Sequence, residues 1–507
     1  MSKLLVFLSF LLFPLSANAQ WRQAVSDHFV IYAQADEAWL RNYAEELERF
    51  DRGVRSFRNL PDAAAGTVNK VTLFIVDPTD LARLAGSRMG NLARASESGS
   101  VAFLPRTSND PEATRRPLFH AYTHHIYAVA WPNVTVPGWL QEGLAEFHGT
   151  TEFRPDGSIV LGRELGARMR SLNPADREPI IKMLSLQRQE PGERIFTTGG
   201  WLLTHLLTFS PGRENQIGAY IAAINSGKSL GDAATETFGS MDKLGADIIK
   251  YRRGTGLKAV VVPASDLKFG AVTVRALTPG EAATIDIRME SQGGGDEKAA
   301  QALYARAKAA ASPYPDDAAA QQVLAKAAYD AKDFAAAEAA ADRVIAADPK
   351  LPGGYAYKAM AMTARAQAEK DKSAPRWTAI RKVLADGKRL NPDDPQLLML
   401  FYRSFGDSGI ALNQPAKQAL YHAVAVAPDV RTIRVAAAEQ LIEDGSGAEA
   451  KAVLRPLAFD PHNAKSGEQA QGAIDLIDKG DLPGAGKALA SAAHKNENDE
   501  PQAERRR

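Results

Sequence analysis

The chain has 507 residues, 45% of them hydrophobic, enough apolar material for the cores of about three domains of ordinary size. A formal net charge of +1 gives no electrostatic case for nucleic acid or an anionic membrane as partner. The absence of cysteine excludes disulfides and thiolate ligands, so any metal must be held by histidine and carboxylate.

Residues 1–19 place Lys3 ahead of an apolar Leu4–Leu15 run and end Ala17-Asn18-Ala19, the order of a secretory signal peptide cleaved after Ala19. An uncleaved anchor is the weaker reading, because a span needs about 20 apolar residues and Pro14 interrupts this shorter run. Cleavage removes Lys3 and no acid, leaving a net charge of zero. The mature chain is therefore expected to be soluble, without a stable membrane span, and periplasmic if its source is Gram-negative.

Next, His28-Phe29-Val30-Ile31-Tyr32 reads as a strand, followed by a helix with Trp39, Leu40, Tyr43, Leu47 and Phe50 on one side. Val71 to Val76 is β-branched and apolar and ends at Asp77-Pro78, which predicts a buried strand. Val101-Ala102-Phe103-Leu104, closed by Pro105, suits an edge strand. Helical sequence dominates from about Arg116 to Arg253, broken by the turn signal Arg154-Pro155-Asp156-Gly157 between two short β-like runs.

Residues 256–295 change character: Val260-Val261-Val262-Pro263 and Val272-Thr273-Val274 are β-rich and Gly293-Gly294-Gly295 is a flexible stop, so a β-rich linker is expected. From 296 to 494 the chain is alanine-rich and helical, and 495–507 is a polar tail expected to be disordered. Helix-closing turns recur at Pro315, Pro349, Pro392, Pro428 and Pro461, spaced 34, 43, 36 and 33 residues apart. A period near 34 marks tetratricopeptide-like helix pairs, which bury their apolar faces only by stacking into a solenoid and commonly bind peptide or protein partners. The 43-residue interval implies a longer helix or loop, and a generic helical bundle is the plainer alternative.

On a helix over 117–130, Leu118, Tyr122, Ile126 and Val129 form one stripe while His120 and His124 share another face one turn apart. Such a pair can converge on one metal, whereas His125 falls nearer the apolar stripe and is not expected to ligate. After His124 comes Trp139-Leu140-Gln141-Glu142-Gly143-Leu144-Ala145-Glu146-Phe147, whose first carboxylate, Glu142, eighteen residues beyond His124, can complete a His2Glu zinc site with an open fourth position. Taken singly, a histidine pair is more often surface or satisfied core, and Glu142 and Glu146 are ordinary helix-face acids. Their combination is the informative feature. No dinucleotide fingerprint, phosphate loop or nucleophile elbow occurs.

With the opening Trp21, the strand at 28–32, the histidine helix, Pro137 to Phe147, Gly200-Trp201-Leu202-Leu203-Thr204-His205-Leu206-Leu207 and Phe238-Gly239, residues 20–255 resemble uncharacterised bacterial exported proteins with a gluzincin-type, peptidase-MA-like domain. In that family tetratricopeptide repeats often follow. The resemblance implies an α+β metallopeptidase-like domain ahead of an all-α solenoid, zinc held by His120, His124 and Glu142, and Val101 to Leu104 as a strand that pairs with an extended substrate. Glu146 is a candidate to orient one of the ligands by accepting a hydrogen bond from it.

Two departures count against catalysis. The family motif is His-Glu-x-x-His, and Ala121 stands where that glutamate activates the zinc-bound water, a contribution of about 10²–10⁴-fold. Relatives also tend to carry tyrosine where Thr197 stands, which removes a candidate stabiliser of the tetrahedral intermediate. No catalytic residue is then intact. The expectation is an exported pseudopeptidase that binds zinc and peptide or protein partners. The alternatives are an active zinc peptidase with an unorthodox base and a non-catalytic repeat scaffold of the cell envelope.

Overall fold

The computed structural model describes residues 20–62, 70–85, 96–106, 111–164, 177–189, 194–253 and 257–499. The expected signal peptide lies outside these residues. Among those described, no helix is long and apolar enough to cross a membrane.

The N-terminal region is α/β. Its main sheet has five strands in the order β4-β3-β2-β1-β8, built from β1 (Trp21–Val25), β2 (Phe29–Gln34), β3 (Val71–Val76), β4 (Val101–Pro105) and β8 (Thr273–Ala276). β1 is antiparallel to β2 and β8, while β2, β3 and β4 run parallel. Alternation along the strands gives the sheet two apolar faces. Phe29, Ile31, Leu73, Ile75, Ala102 and Leu104 point towards α1 (Glu37–Arg58) and α3 (Pro111–Ala130). Tyr32, Phe74, Val76 and Phe103 meet Leu81 of α2 (Pro78–Ala85) and Leu277, Ile285 and Met289 on the other side.

That second face corrects the expectation of a linker at 256–295. Val260–Val262 is β7, which extends the small sheet of β5 (Glu152–Phe153) and β6 (Ile159–Leu161), and β8 closes the main sheet. Between the β-rich runs and the glycine stop lies a helix, α10 (Pro279–Glu290), which begins with a reciprocal capping box between Thr278 and Glu281. That box satisfies two N-terminal donors and fixes the helix start.

A helical body completes the region: α4 (Gly138–His148), α5 (Arg177–Met183), α6 (Ile195–Phe209), α7 (Gln216–Asn225), α8 (Leu230–Phe238) and α9 (Met241–Arg253). Its centre is the pairing of α4 with α6. A Cβ on Gly143 would sit 2.3 Å from Thr204 Oγ1 and 2.5 Å from the Gly200 carbonyl oxygen, and one on Gly200 would sit 2.4 Å from the Trp139 carbonyl oxygen. The two glycines thus let the helix backbones touch. His205 on α6 is a structural residue, with Nδ1 2.7 Å from the Tyr251 hydroxyl and Nε2 2.9 Å from the Gly162 carbonyl oxygen.

Burial lowers the His205 pKa to about 4, below its ordinary value of 6.5. Above pH 6.5 neither the folded nor the unfolded chain protonates this residue. Between pH 6.5 and 4 the unfolded chain takes up a proton that the fold refuses, so stability falls with pH, by about 2 kcal/mol between pH 6.5 and 5. Denaturant unfolding of wild type and His205→Gln at the two pH values checks this, with the acid-induced loss expected to be smaller in the variant by about that amount.

From 297 onward the chain is a run of antiparallel helices. After α11 (Glu297–Ala311) come α12 (Ala318–Asp330) and α13 (Phe334–Ala347), α14 (Pro352–Ala368) and α15 (Ala374–Leu390), and α16 (Pro395–Ser408) and α17 (Gln414–Val426). The last are α18 (Arg431–Glu443) and α19 (Gly447–Ala458), then α20 (Ala464–Asp478) and α21 (Leu482–Asp499). Each pair from α12 on follows one of the five proline turns, the arrangement of a tetratricopeptide-like solenoid. The long interval is explained by α14 and α15, 17 residues each against 13 and 14 in the pair before. Small side chains such as Ala325, Ala340, Ala361 and Ala437 are fully buried where helices cross. Helix α21 continues to Asp499, so the tail expected from 495 begins as helix.

Candidate metal centre

Helix α3 carries His120 and His124 on one face, and α4 brings Glu142 against them from a buried position, 3% exposed. A fourth donor was not foreseen. His462, in the turn between α19 and α20, extends from the solenoid to the same point, and one ligand atom from each of the four residues lies within 4.8 Å of all the others.

The separations are informative. His124 Nε2 is 3.3 Å from His120 Nε2, 3.2 Å from His462 Nε2 and 3.2 Å from Glu142 Oε1, and His462 Nε2 is 3.0 Å from Glu142 Oε1. His120 Nε2 is 3.7 Å from Glu142 Oε2. Nitrogen and oxygen donors about 2.0–2.1 Å from a tetrahedral zinc stand about 3.3–3.4 Å apart along the tetrahedron's edges. Despite two imidazole nitrogens at 3.0 and 3.2 Å, Glu142 Oε1 receives no aligned hydrogen bond and is buried. One ligand atom from each residue reaches the same point, and Glu142 Oε1 is left there without a donor, so the residues present fit a metal ion.

Their protonation agrees. Burial drives the His124 pKa down against the pull of Glu142. For Glu142, burial acts upwards but is outweighed by the facing imidazoles of His124 and His462, which hold the carboxyl well below the ordinary range. A neutral imidazole beside an ionised carboxylate is the state that binds metal. Behind them, Glu146 Oε1 lies 3.3 Å from His120 Nδ1, and its Oε2 accepts from Arg116 Nη2 at 2.8 Å. A proton on His120 Nδ1, facing Glu146, would leave the Nε2 lone pair for the centre. Ala121 is half-buried and offers no proton acceptor. Thr197, in the first turn of α6, donates to the Arg194 carbonyl oxygen at 2.9 Å. Val101 to Leu104 form β4, an outer strand of the main sheet.

A second group, His28 with Asp51 and Asp62, also lies within metal-ligand reach. It is already neutralised. Arg55 Nε donates to Asp51 at 2.8 Å, Arg52 pairs with Asp62, and Tyr122 donates to Asp51 at 3.0 Å. Burial lowers the His28 pKa, but Asp62 and Glu48 outweigh it and raise the value to about 10, so the ring is an imidazolium and a poor ligand.

The candidate metal centre lies where the solenoid docks. Gln141 Nε2 donates to the Phe459 carbonyl oxygen at 2.9 Å, and Gln187 Nε2 to the Ala458 carbonyl oxygen at 3.0 Å. His125, which was not expected to ligate, meets Asp429 at 2.7 Å. The buried Arg434 donates to the carbonyl oxygens of Pro132 and Val453. Arg455 reaches the Ile224 carbonyl oxygen at 2.8 Å, and Arg403 grips Glu97 with two hydrogen bonds. Asp429 and His462 each follow the proline of their turn, at Pro428 and Pro461, so equivalent positions of successive repeats contact neighbouring histidines of α3.

No family model matches the chain, and no curated protein matches it. Among solved structures, one that is similar is a thermophilic TPR protein of Thermus thermophilus, at 24% identity and a TM-score of 0.28, over 38% of this chain and 90% of that one. The helix pairs of this chain are marked by its own proline turns and helix packing.

Proposed function

We propose that this is an exported, metallopeptidase-like protein that binds zinc without cleaving peptides and uses its solenoid to hold a peptide or protein partner. The observation that carries the reading is the convergence of ligand atoms of His120, His124, Glu142 and His462 within 4.8 Å of one another, beside an alanine in the general-base position. His120, His124 and Glu142 would hold bound zinc, which would supply Lewis-acid polarisation wherever a coordination position is open. Glu146 would fix the His120 tautomer, and Ala121 offers no acceptor at the position from which the family's glutamate takes a proton from water. Export is proposed from the order of residues 1–19, and the outer edge of β4, Val101 to Leu104, is the proposed place for strand addition.

Elemental analysis of the purified mature chain tests this. About one zinc per wild-type chain is expected, with near-complete loss in His124→Ala, and no chelator-sensitive cleavage of unfolded proteins by the wild type. Metal-free wild-type protein, or chelator-sensitive proteolysis, would contradict the reading.

A further inference from the structure

Three-ligand zinc sites leave a position open for water, whereas four-ligand sites are closed and structural. His120, His124 and Glu142 alone make the open kind. His462 arrives from a different part of the chain, 338 positions after His124, and its Nε2 stands at tetrahedral-edge distance from two of them. Its backbone position is braced: the His462 amide donates to Asp460 Oδ1 at 2.8 Å, and the same turn is held by Gln141 through the Phe459 carbonyl. The side chain is 52% exposed, so the imidazole can leave the centre without unpacking a core.

We propose that His462 is the fourth metal ligand: its imidazole fills the position a reactive water would need, and the ion becomes a clamp that fastens the last repeats of the solenoid over α3 and α4. The clamp rests on the metal-binding reading above. It acts with the docking contacts of Asp429, Arg434 and Arg455, and closing so long a stretch of chain is where a cross-link constrains the unfolded state most. It also gives the absence of a base at Ala121 a second meaning, since a closed coordination sphere leaves no water for a base to activate.

The test uses the full mature chain, with wild type, His462→Ala and His124→Ala each loaded with cobalt(II) and with zinc. In wild type, the cobalt spectrum is expected to be that of a four-coordinate ion and to be unmoved by acetohydroxamate. In His462→Ala the metal still binds, but affinity falls by more than the about 10–100-fold that losing a hydrogen-bond partner behind a ligand costs, and acetohydroxamate changes the spectrum. Limited proteolysis between the repeats and the N-terminal region becomes faster in His462→Ala and in chelated wild type. Equal affinity and an equally unresponsive spectrum in wild type and His462→Ala would overturn the clamp while leaving the metal site intact. Metal-free wild type, or full binding by His124→Ala, would instead overturn the metal-binding reading beneath it.

Discussion

Stripping zinc from the full chain with a chelator is expected to lower its thermal unfolding midpoint by about 8–16 °C. A ligand present at about 1,000 times its dissociation constant adds about 4.1 kcal/mol to the folded state, and a domain of about 150–250 residues shifts by about 2–4 °C per kcal/mol. The physical source is local. Without a cation, the buried carboxylate of Glu142 faces His124 and His462 with its Oε1 unpaired by any aligned donor, and the imidazole nitrogens crowd one another at 3.2–3.3 Å. A buried carboxylate oxygen left without a donor is costly. Calorimetry with and without chelator, followed by zinc restoration, provides the check. An unchanged midpoint would show that the four donors hold no stabilising ion.

The second large effect concerns the support of Glu142. Gly143→Ala is expected to cost about 3 kcal/mol, at the upper end for overpacking, because the new Cβ would meet the Gly200 carbonyl oxygen at 2.5 Å rather than a mobile side chain. Relief requires α4 to move away from α6, and Glu142 moves with its own helix. The variant should therefore lose zinc affinity as well as stability. Gly218→Ala, on a helix where an added Cβ meets no atom within 4 Å, serves as the control and should keep or raise stability, by up to about 1 kcal/mol. Denaturant unfolding and zinc competition measure both. Normal stability in Gly143→Ala would mean that the α4–α6 contact is slacker than its geometry requires.

Both effects depend on residues whose grouping was partly visible in the sequence. The i, i+4 spacing of His120 and His124 and the Glu142-Gly143 step are local patterns, and helices α3 and α4 present them on facing surfaces. The five proline turns likewise mark the starts of five helix pairs. Those signals are carried by residues close in sequence.

What escaped reading was long-range. Trp21–Val25 is a strand whose partner β8 lies about 250 residues later, so the sequence at 273–276 declares β structure without declaring where it pairs. The same holds for His462. Its turn was legible as repeat punctuation, and only the comparison of the residues that follow each proline, Asp316, Lys350, Asp393, Asp429 and His462, singles out the last as a histidine able to join the pair on α3. The capping box at Thr278 and Glu281 was a local signal for α10 that the surrounding valine-rich runs obscured.

Zinc-edge X-ray absorption of the purified full chain tests the central claim most directly. The account predicts a four-coordinate ion with three imidazole nitrogens and one carboxylate oxygen at about 2.0–2.1 Å, and replacement of one imidazole by a water oxygen in His462→Ala. A wild-type spectrum with only two imidazoles, or with no bound zinc, would contradict it.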